Sequence, residues 1–171
     1  HHGLSTPEII IYSTDISELF GLVNAGQMNG LVDWLLAKLQ ALKAAGADFA
    51  AISANTPHIV FDQVSASSPL LLISIVEATL GAAKRMGLKK VGLLGTKFTM
   101  QANFFGECFA QEGISVAIPS AEEQEFIHDK LVTEIELGVF SDYTRQKLLS
   151  IIDHMHERDA IEAVILGCTE L

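Results

Sequence analysis

The sequence predicts an α/β fold built on mostly parallel sheets, and two features carry that prediction. Short aliphatic or β-branched runs alternate with helical stretches of ten or more residues, the pattern of strands joined by crossover helices. Two of the runs, residues 48–52 and 163–166, end in matched polar turns, Ser53-Ala54-Asn55-Thr56-Pro57-His58 and Gly167-Cys168-Thr169-Glu170. Ligands in open α/β sheets bind beyond the carboxyl ends of the strands. The two turns therefore predict one site with two opposed walls.

The elements follow in order. Residues 8–12 (Glu-Ile-Ile-Ile-Tyr) are β-branched and aromatic, and Ser13-Thr14-Asp15 closes them, which predicts a strand. Ser17 is the expected N-cap of a short helix ending near residues 24–26. Leu31, Leu35, Leu39 and Leu42, with Val32 and Leu36, repeat at helical spacing until Gly46. Residues 49–52 read as a buried strand, residues 58–64 as the start of a helix, and residues 65–69 as a loop. Residues 70–75 predict another buried strand, followed by a helix over 76–86 closed by Gly87. A strand is expected at 91–94, a helix over 99–111 ending at Gly113, and a strand at 114–118 closed by Pro119. Ser120 and Glu123 form a capping-box pattern that opens a helix running toward Leu137-Gly138. Ser141 caps a last helix through Asp159, and residues 163–166 form the last strand.

The halves look alike: strand, helix, then a strand ending in a polar turn. This predicts two pseudo-symmetric flavodoxin-like lobes with a substrate cleft between them, residues 1–80 and 81–171; one flavodoxin-like sheet is the alternative. Both ends read as cut. His1-His2-Gly3 resembles a loop or a tag remnant, and Leu171 stands where a doubly wound fold would begin another helix. A leading strand and a trailing helix are expected outside the chain.

Composition excludes several classes. At 171 residues and 49% hydrophobic content the chain can bury a sizeable core. A net charge of −10 opposes nucleic-acid binding, which needs basic surface. No apolar run is long enough for a membrane span. Two cysteines, Cys108 and Cys168, do not make a disulfide framework, which fits a reducing cytoplasm.

Among chemistry-bearing residues, Cys168 stands at a strand end beside Gly167 and the Thr169 hydroxyl. A buried cysteine otherwise packs as a small hydrophobe. A following helix N-terminus would lower its pKa from about 8.5 toward neutrality and make it a nucleophile or base. Asn55-Thr56-Pro57 reads as a helix cap and, compatibly, as a carboxylate holder at a helix N-terminus. A Ser53–His58 nucleophile pair lacks a G-x-S-x-G elbow. Residues 92–99 (Gly-Leu-Leu-Gly-Thr-Lys-Phe-Thr) lack the order of a phosphate loop, which leaves Thr96 and Thr99 as donors at an anion corner. His154 and His156 do not share a helix face and read as solvated. Cys108, among Phe104, Phe105 and Phe109, reads as core, and no metal-site spacing is present.

Ser-Ala-Asn-Thr-Pro-His, Gly-Leu-Leu-Gly-Thr-Lys-Phe-Thr-Met and Leu-Gly-Cys-Thr-Glu-Leu, in this order, resemble the aspartate/glutamate racemase family. The resemblance runs over nearly the whole chain from Glu8. It implies a cofactor-independent enzyme, commonly a homodimer, acting on an acidic amino acid or dicarboxylate between two α/β lobes. Two opposed cysteines remove and return the α-proton in that family. Cys168 matches the second, and Asn55, Thr56 and Thr169 match residues that hold the substrate. The first is absent, with Ser53 and Ala54 in its place. His58 is the nearby candidate to assist Ser53, Glu170 the candidate to tune Cys168, and Lys97 the nearest candidate for a side-chain carboxylate. Two further readings follow: a one-cysteine decarboxylase or maleate-type isomerase of the same superfamily, and a silent dicarboxylate-binding protein.

Overall fold

The computed structural model describes residues 6–171; the expected loop or tag remnant at His1-His2-Gly3 lies outside them. Eight α-helices and five strands are present among the described residues, and every strand pairing there is parallel. The α/β class with parallel sheets is thus as predicted. Two compact units are distinguished: residues up to 52 together with Val60–Ile73, and Ser53–Ile59 together with Ser74–Leu171.

In the first unit, α1 (Ile16–Asn24) is capped by Asp15, whose carboxylate accepts from the Ser17 N–H at 2.8 Å. Ser17 is therefore inside the helix and not its cap. Helix α2 (Met28–Ala44) buries Leu31, Leu35 and Leu39, the i, i+4, i+8 stripe that its periodicity predicts. Gly46 follows its C-cap at φ +98°, a left-handed stop that glycine adopts without strain. Strands β1 (Phe49–Ala51) and β2 (Leu71–Ile73) pair in register, Ala50 opposite Leu72. A short α3 (Phe61–Ser67) runs three residues into the segment expected as loop.

Two expectations fail here. Residues 8–12 form no strand: Ile9 and Ile11 are 76% and 83% exposed. A strand exists only through a ladder with a neighbour, and none of the described strands pairs with this segment. Strands β1 and β2 are also not buried on both faces. Ala50 and Leu72 are covered, whereas Phe49, Leu71 and Ile73 are exposed, because alternate side chains point to opposite faces and only one face is covered.

The second unit holds the three-stranded sheet β4-β3-β5, made of Ser115–Ala117, Lys90–Leu94 and Ala163–Leu166. Central β3 is covered on both sides, as its apolar run requires. Val91 and Leu93 pack with Val76 and Ala83 of α4 (Ile75–Arg85) and with Phe105 and Phe109. Leu94 packs with Ile127, Leu131, Ile151 and Met155, contributed by α7 (Ala121–Thr133) and α8 (Asp142–Asp159). Cys108 packs on the first of these clusters. The helix expected over 99–111 is two helices, α5 (Lys97–Gln101) and α6 (Phe104–Ala110), broken at Asn103 with φ 57°. Asparagine is among the few side chains that tolerate that region. Edge strand β5 is only half-buried, and Leu166 is exposed.

The predicted caps of α7 and α8 are present. The Ser120 hydroxyl accepts from the Glu123 N–H while the Glu123 carboxylate accepts from the Ser120 N–H, and Ser141 Oγ accepts from the Thr144 N–H at 3.0 Å. His154 is exposed beside Glu123; His156, exposed as expected, also has Nδ1 2.8 Å from the Ile161 carbonyl.

Candidate functional site

The carboxyl ends of β3 and β5 lie side by side in the second unit, Leu94 opposite Leu166. The Gly167 N–H donates to the Leu94 carbonyl at 2.5 Å, extending the ladder one residue past the strand. Glycine is required at this approach. A Cβ on Gly167 would meet the Leu94 oxygen at 2.8 Å, and one on Gly95 would meet the Gly167 oxygen at 3.0 Å. Backbone cannot yield as a flexible side chain does, so Gly167→Ala is expected to cost about 1–3 kcal/mol, the usual cost of overpacking. An unchanged urea-unfolding midpoint would remove the steric argument.

The Ser53–His58 turn is tied to the same point. Asn55, 9% exposed, donates from Nδ2 to the Gly167 carbonyl at 3.0 Å, joining residues 112 positions apart. Thr56 opens a 3-10 turn, Thr56–Val60, and is likewise buried. His58, 5% exposed, is held by backbone groups at both ring nitrogens. The Ile75 N–H at the start of α4 donates to Nε2 at 3.2 Å. Nε2 thus carries no proton, and Nδ1 donates to the Ala54 carbonyl, 2.9 Å away. Burial pulls the ring below its ordinary 6.5, against the raising effect of the Ala54 and Asn55 backbone. His58 is thereby a neutral brace between the turn and α4 and not a base for Ser53, whose side chain lies on an exposed residue.

The sign of the resulting pH dependence follows from linkage. Since the folded ring binds its proton more weakly than the unfolded one, its contribution is complete above pH 6.5 and declines as pH falls through the depressed folded value. Thermal melts between pH 8 and pH 5 are expected to show this decline, and His58→Gln should flatten it. An identical profile in that variant would remove His58 as a cause.

Cys168 is half-buried, packed on the Leu131–Ile151–Met155 cluster. Its Sγ donates to Glu170 Oε2 at 2.9 Å. Burial, then the hydrogen bond to the Glu170 carboxylate, push the thiol up to about 12, and the charge of Glu136 adds in the same direction. The expectation of a lowered pKa is thus reversed. Residues 169 and 170 form a turn, and the group that the thiol meets there is the Glu170 carboxylate. The thiol thus holds its proton more tightly than an ordinary cysteine, with Glu170 as its acceptor. The Glu170 carboxyl is held below its ordinary value by the Cys168 and Thr169 hydrogen bonds. Removing that charge by Glu170→Gln should free the thiolate and speed neutral-pH alkylation of Cys168 by iodoacetamide on the order of tenfold, one pKa unit's worth. Peptide mapping separates Cys168 from Cys108, and an unaltered Cys168 rate would exclude Glu170 as the controlling group.

The remaining sequence-predicted residues divide. Thr96 caps α5, with its hydroxyl 3.1 Å from that of Thr99, and buried Thr99 packs against the Gly95–Gly167 approach. Thr169 and Glu170 are exposed beside Cys168. Lys97 is ion-paired with Glu125 on the surface and so is not held ready for a substrate carboxylate.

Sequence reasoning missed a cavity of about 370 Å³ beside Glu170, walled by Ile135, Phe140, Leu148 and Leu171, with Ser141 and Thr144 at one side. That is within the range of small-molecule sites. Leu148 and Leu171 pack on the same apolar cluster as Cys168, which does not itself line the cavity. The Ser141 cap was legible, but nothing in the local pattern places it near Glu170. Among the described residues no cluster of three His, Cys, Asp or Glu side chains is arranged to hold a metal ion, and no helix is long and apolar enough to cross a membrane.

The geometry can be set beside known proteins. An aspartate racemase homologue from Pyrococcus horikoshii superposes with a TM-score of 0.86 at 36% identity, over 100% of this chain and 74% of that one. A Yersinia pestis structure provisionally assigned as an Asp/Glu racemase gives a TM-score of 0.89 at 32% identity, over 98% and 73% of the two chains. The glutamate racemase of Limosilactobacillus reuteri is 27% identical over 101 residues, 59% of this chain and 36% of that protein. Matched stretches span 36% to 65% of the first curated relatives' lengths. Residues 1–171 match the family model described as Asp/Glu/hydantoin racemase, and the chain belongs to that family.

Proposed function

We propose that this chain is the working part of a cofactor-independent racemase-family enzyme that exchanges the α-proton of an amino acid, with Cys168 as its one thiol acid. The observation that carries the reading is the Cys168–Glu170 pair at the end of β5, joined through Gly167 to Asn55. A thiol that keeps its proton at neutral pH can deliver it to a carbanion. The reverse step needs the thiolate, and Glu170 at rest is too weak a base to form it. The α-ammonium of a bound amino acid supplies the missing bias, because a positive charge near the sulfur favours its ionised form. Asn55, Thr56 and Thr169 are assigned to the substrate's carboxylate and amine, and Ser53 to the opposite wall. Thr96 and Thr99 support that corner from α5. A hydroxyl is a far weaker acid than a thiol, and His58 is committed to backbone, so exchange on the Cys168 side outpaces inversion. A homodimer in the cytoplasm is part of the same reading.

The full-length protein should be incubated with L- and D-amino acids in D2O, with α-deuteration followed by NMR and enantiomers by chiral chromatography. Deuteration that runs ahead of inversion is expected. Absence of deuteration on every amino acid would sink the reading. A one-cysteine decarboxylase is the second reading, favoured by the same raised thiol pKa: loss of CO2 leaves a carbanion that needs only one proton donor. Release of CO2 from a malonate-type diacid without α-exchange on amino acids would favour it.

A further inference from the structure

Gly167 is forced to be glycine, and that leaves the residue before the thiol poorly restrained by its own chemistry. A Cβ there would meet the Leu94 oxygen at 2.8 Å, Leu93 Cδ1 at 2.9 Å and Thr99 Cγ2 at 3.3 Å. Without a Cβ, glycine limits its own φ and ψ least of all residues, and the next residue is Cys168. The peptide unit is planar, so the direction of the Gly167 carbonyl also sets the direction of the Cys168 Cα. The Gly167 N–H is held by the Leu94 carbonyl at 2.5 Å, which leaves the rotation that aims the carbonyl. Asn55 stops that rotation: its Nδ2 donates to the Gly167 oxygen at 3.0 Å. A carbonyl oxygen only accepts, so the amide atom facing it is the nitrogen.

The anchor is itself fixed. Asn55 is buried, and its own carbonyl accepts from the His58 N–H at 2.9 Å. The His58 ring is in turn held between the Ala54 carbonyl and the Ile75 N–H. All of these residues lie within the second unit. We propose that Asn55 is the positioning residue for Cys168: by locking the Gly167–Cys168 peptide it seats the thiol against Glu170, where Sγ donates to Oε2 at 2.9 Å. The second Nδ2 hydrogen and Oδ1 stay available for a substrate. The proposal deepens the reading of Cys168 as an acid, because a proton is delivered only from a group held within hydrogen-bond reach. Its test reads the thiol itself and needs no substrate.

Burial, then the Glu170 hydrogen bond, hold the Cys168 thiol up, so a peptide free to turn lets Sγ leave Oε2 and ionise more readily. Asn55→Leu keeps the forked shape of the amide and removes the donor. Iodoacetamide alkylation of Cys168 in the full-length protein at neutral pH, read by peptide mapping, is expected to accelerate on the order of tenfold, as in Glu170→Gln. The double variant, Asn55→Leu with Glu170→Gln, separates positioning from a general loosening. Where both substitutions act on one thiol–carboxylate contact, the double variant reacts no faster than the faster single one; loosening would multiply the two accelerations. An unaltered rate in Asn55→Leu, or a double variant at the product of the singles, would overturn the proposal. Should Asn55→Leu not fold, the unaltered protein still decides. Hydrogen exchange of the Asn55 side-chain amide, followed by NMR, is expected to be slower than that of exposed Asn24, and equal exchange ends the proposal. If no amino acid is α-deuterated, the acid reading falls, while non-multiplying alkylation rates still uphold the peptide lock.

Discussion

Cys168→Ala is expected to abolish α-deuteration on every substrate, a loss on the order of 10²- to 10⁴-fold, the usual span for a positioned acid or base. The side chain is half-buried against Leu131, Ile151 and Met155, so the truncation leaves at most a small void and folding should survive. Circular dichroism and unchanged ligand affinity would establish that. Cys168→Ser separates shape from acidity: it keeps a donor of similar size but raises the pKa far out of range, and it should be as inactive as the alanine variant. Exchange within tenfold of the unaltered rate in either variant would take Cys168 out of the mechanism. Glu170 would then be the next acid to examine.

Ser53→Cys is expected to change the outcome of the reaction more than its binding. Thiols ionise near pH 8.5, many units below a hydroxyl, so under the proposed reading the substitution puts a competent acid on the wall assigned to Ser53. Inversion should rise on the order of a hundredfold, approaching the rate of deuteration, while KM stays within a few-fold because Asn55 and Thr56, proposed to hold the substrate, are untouched. Ser53 is exposed and precedes the buried 3-10 turn, so a one-atom exchange there creates no overpacking. Inversion that stays slow in this variant, with Cys168 still exchanging, would show that the asymmetry of the two walls lies elsewhere than in residue 53.

Both predictions depend on a site that was partly legible from the residues. Cys168, Asn55 and Thr56 were recognisable from three motifs, and the structure ties two of those motifs through one hydrogen bond, Asn55 to Gly167. The role anticipated for His58 was not correct in detail. A histidine five residues from a serine suggests a base, but its ring spans from the Ala54 carbonyl to the Ile75 N–H. Seventeen residues of sequence separate His58 from Ile75, and no local pattern announces that contact. The cavity was missed for the same reason, since its walls come from the 3-10 turn Ile135–Leu137, the start of α8 and the residues after Cys168.

By itself the sequence determined the alternation of strands and helices, the caps at Ser120 and Ser141, the stops at Gly46, Gly87 and Gly113, and the family. These depend on φ preferences, hydrogen bonds within a turn and apolar periodicity, all of which act over a few residues. The tertiary structure alone decided that residues 8–12 have no strand partner among those described, that Gly95 and Gly167 must lack a Cβ, and that the Cys168 pKa is raised rather than lowered. A pKa is set by how much water is removed and which charge faces the group. For Cys168 the water is removed by side chains from α7 and α8, brought to the end of β5 only when the chain folds.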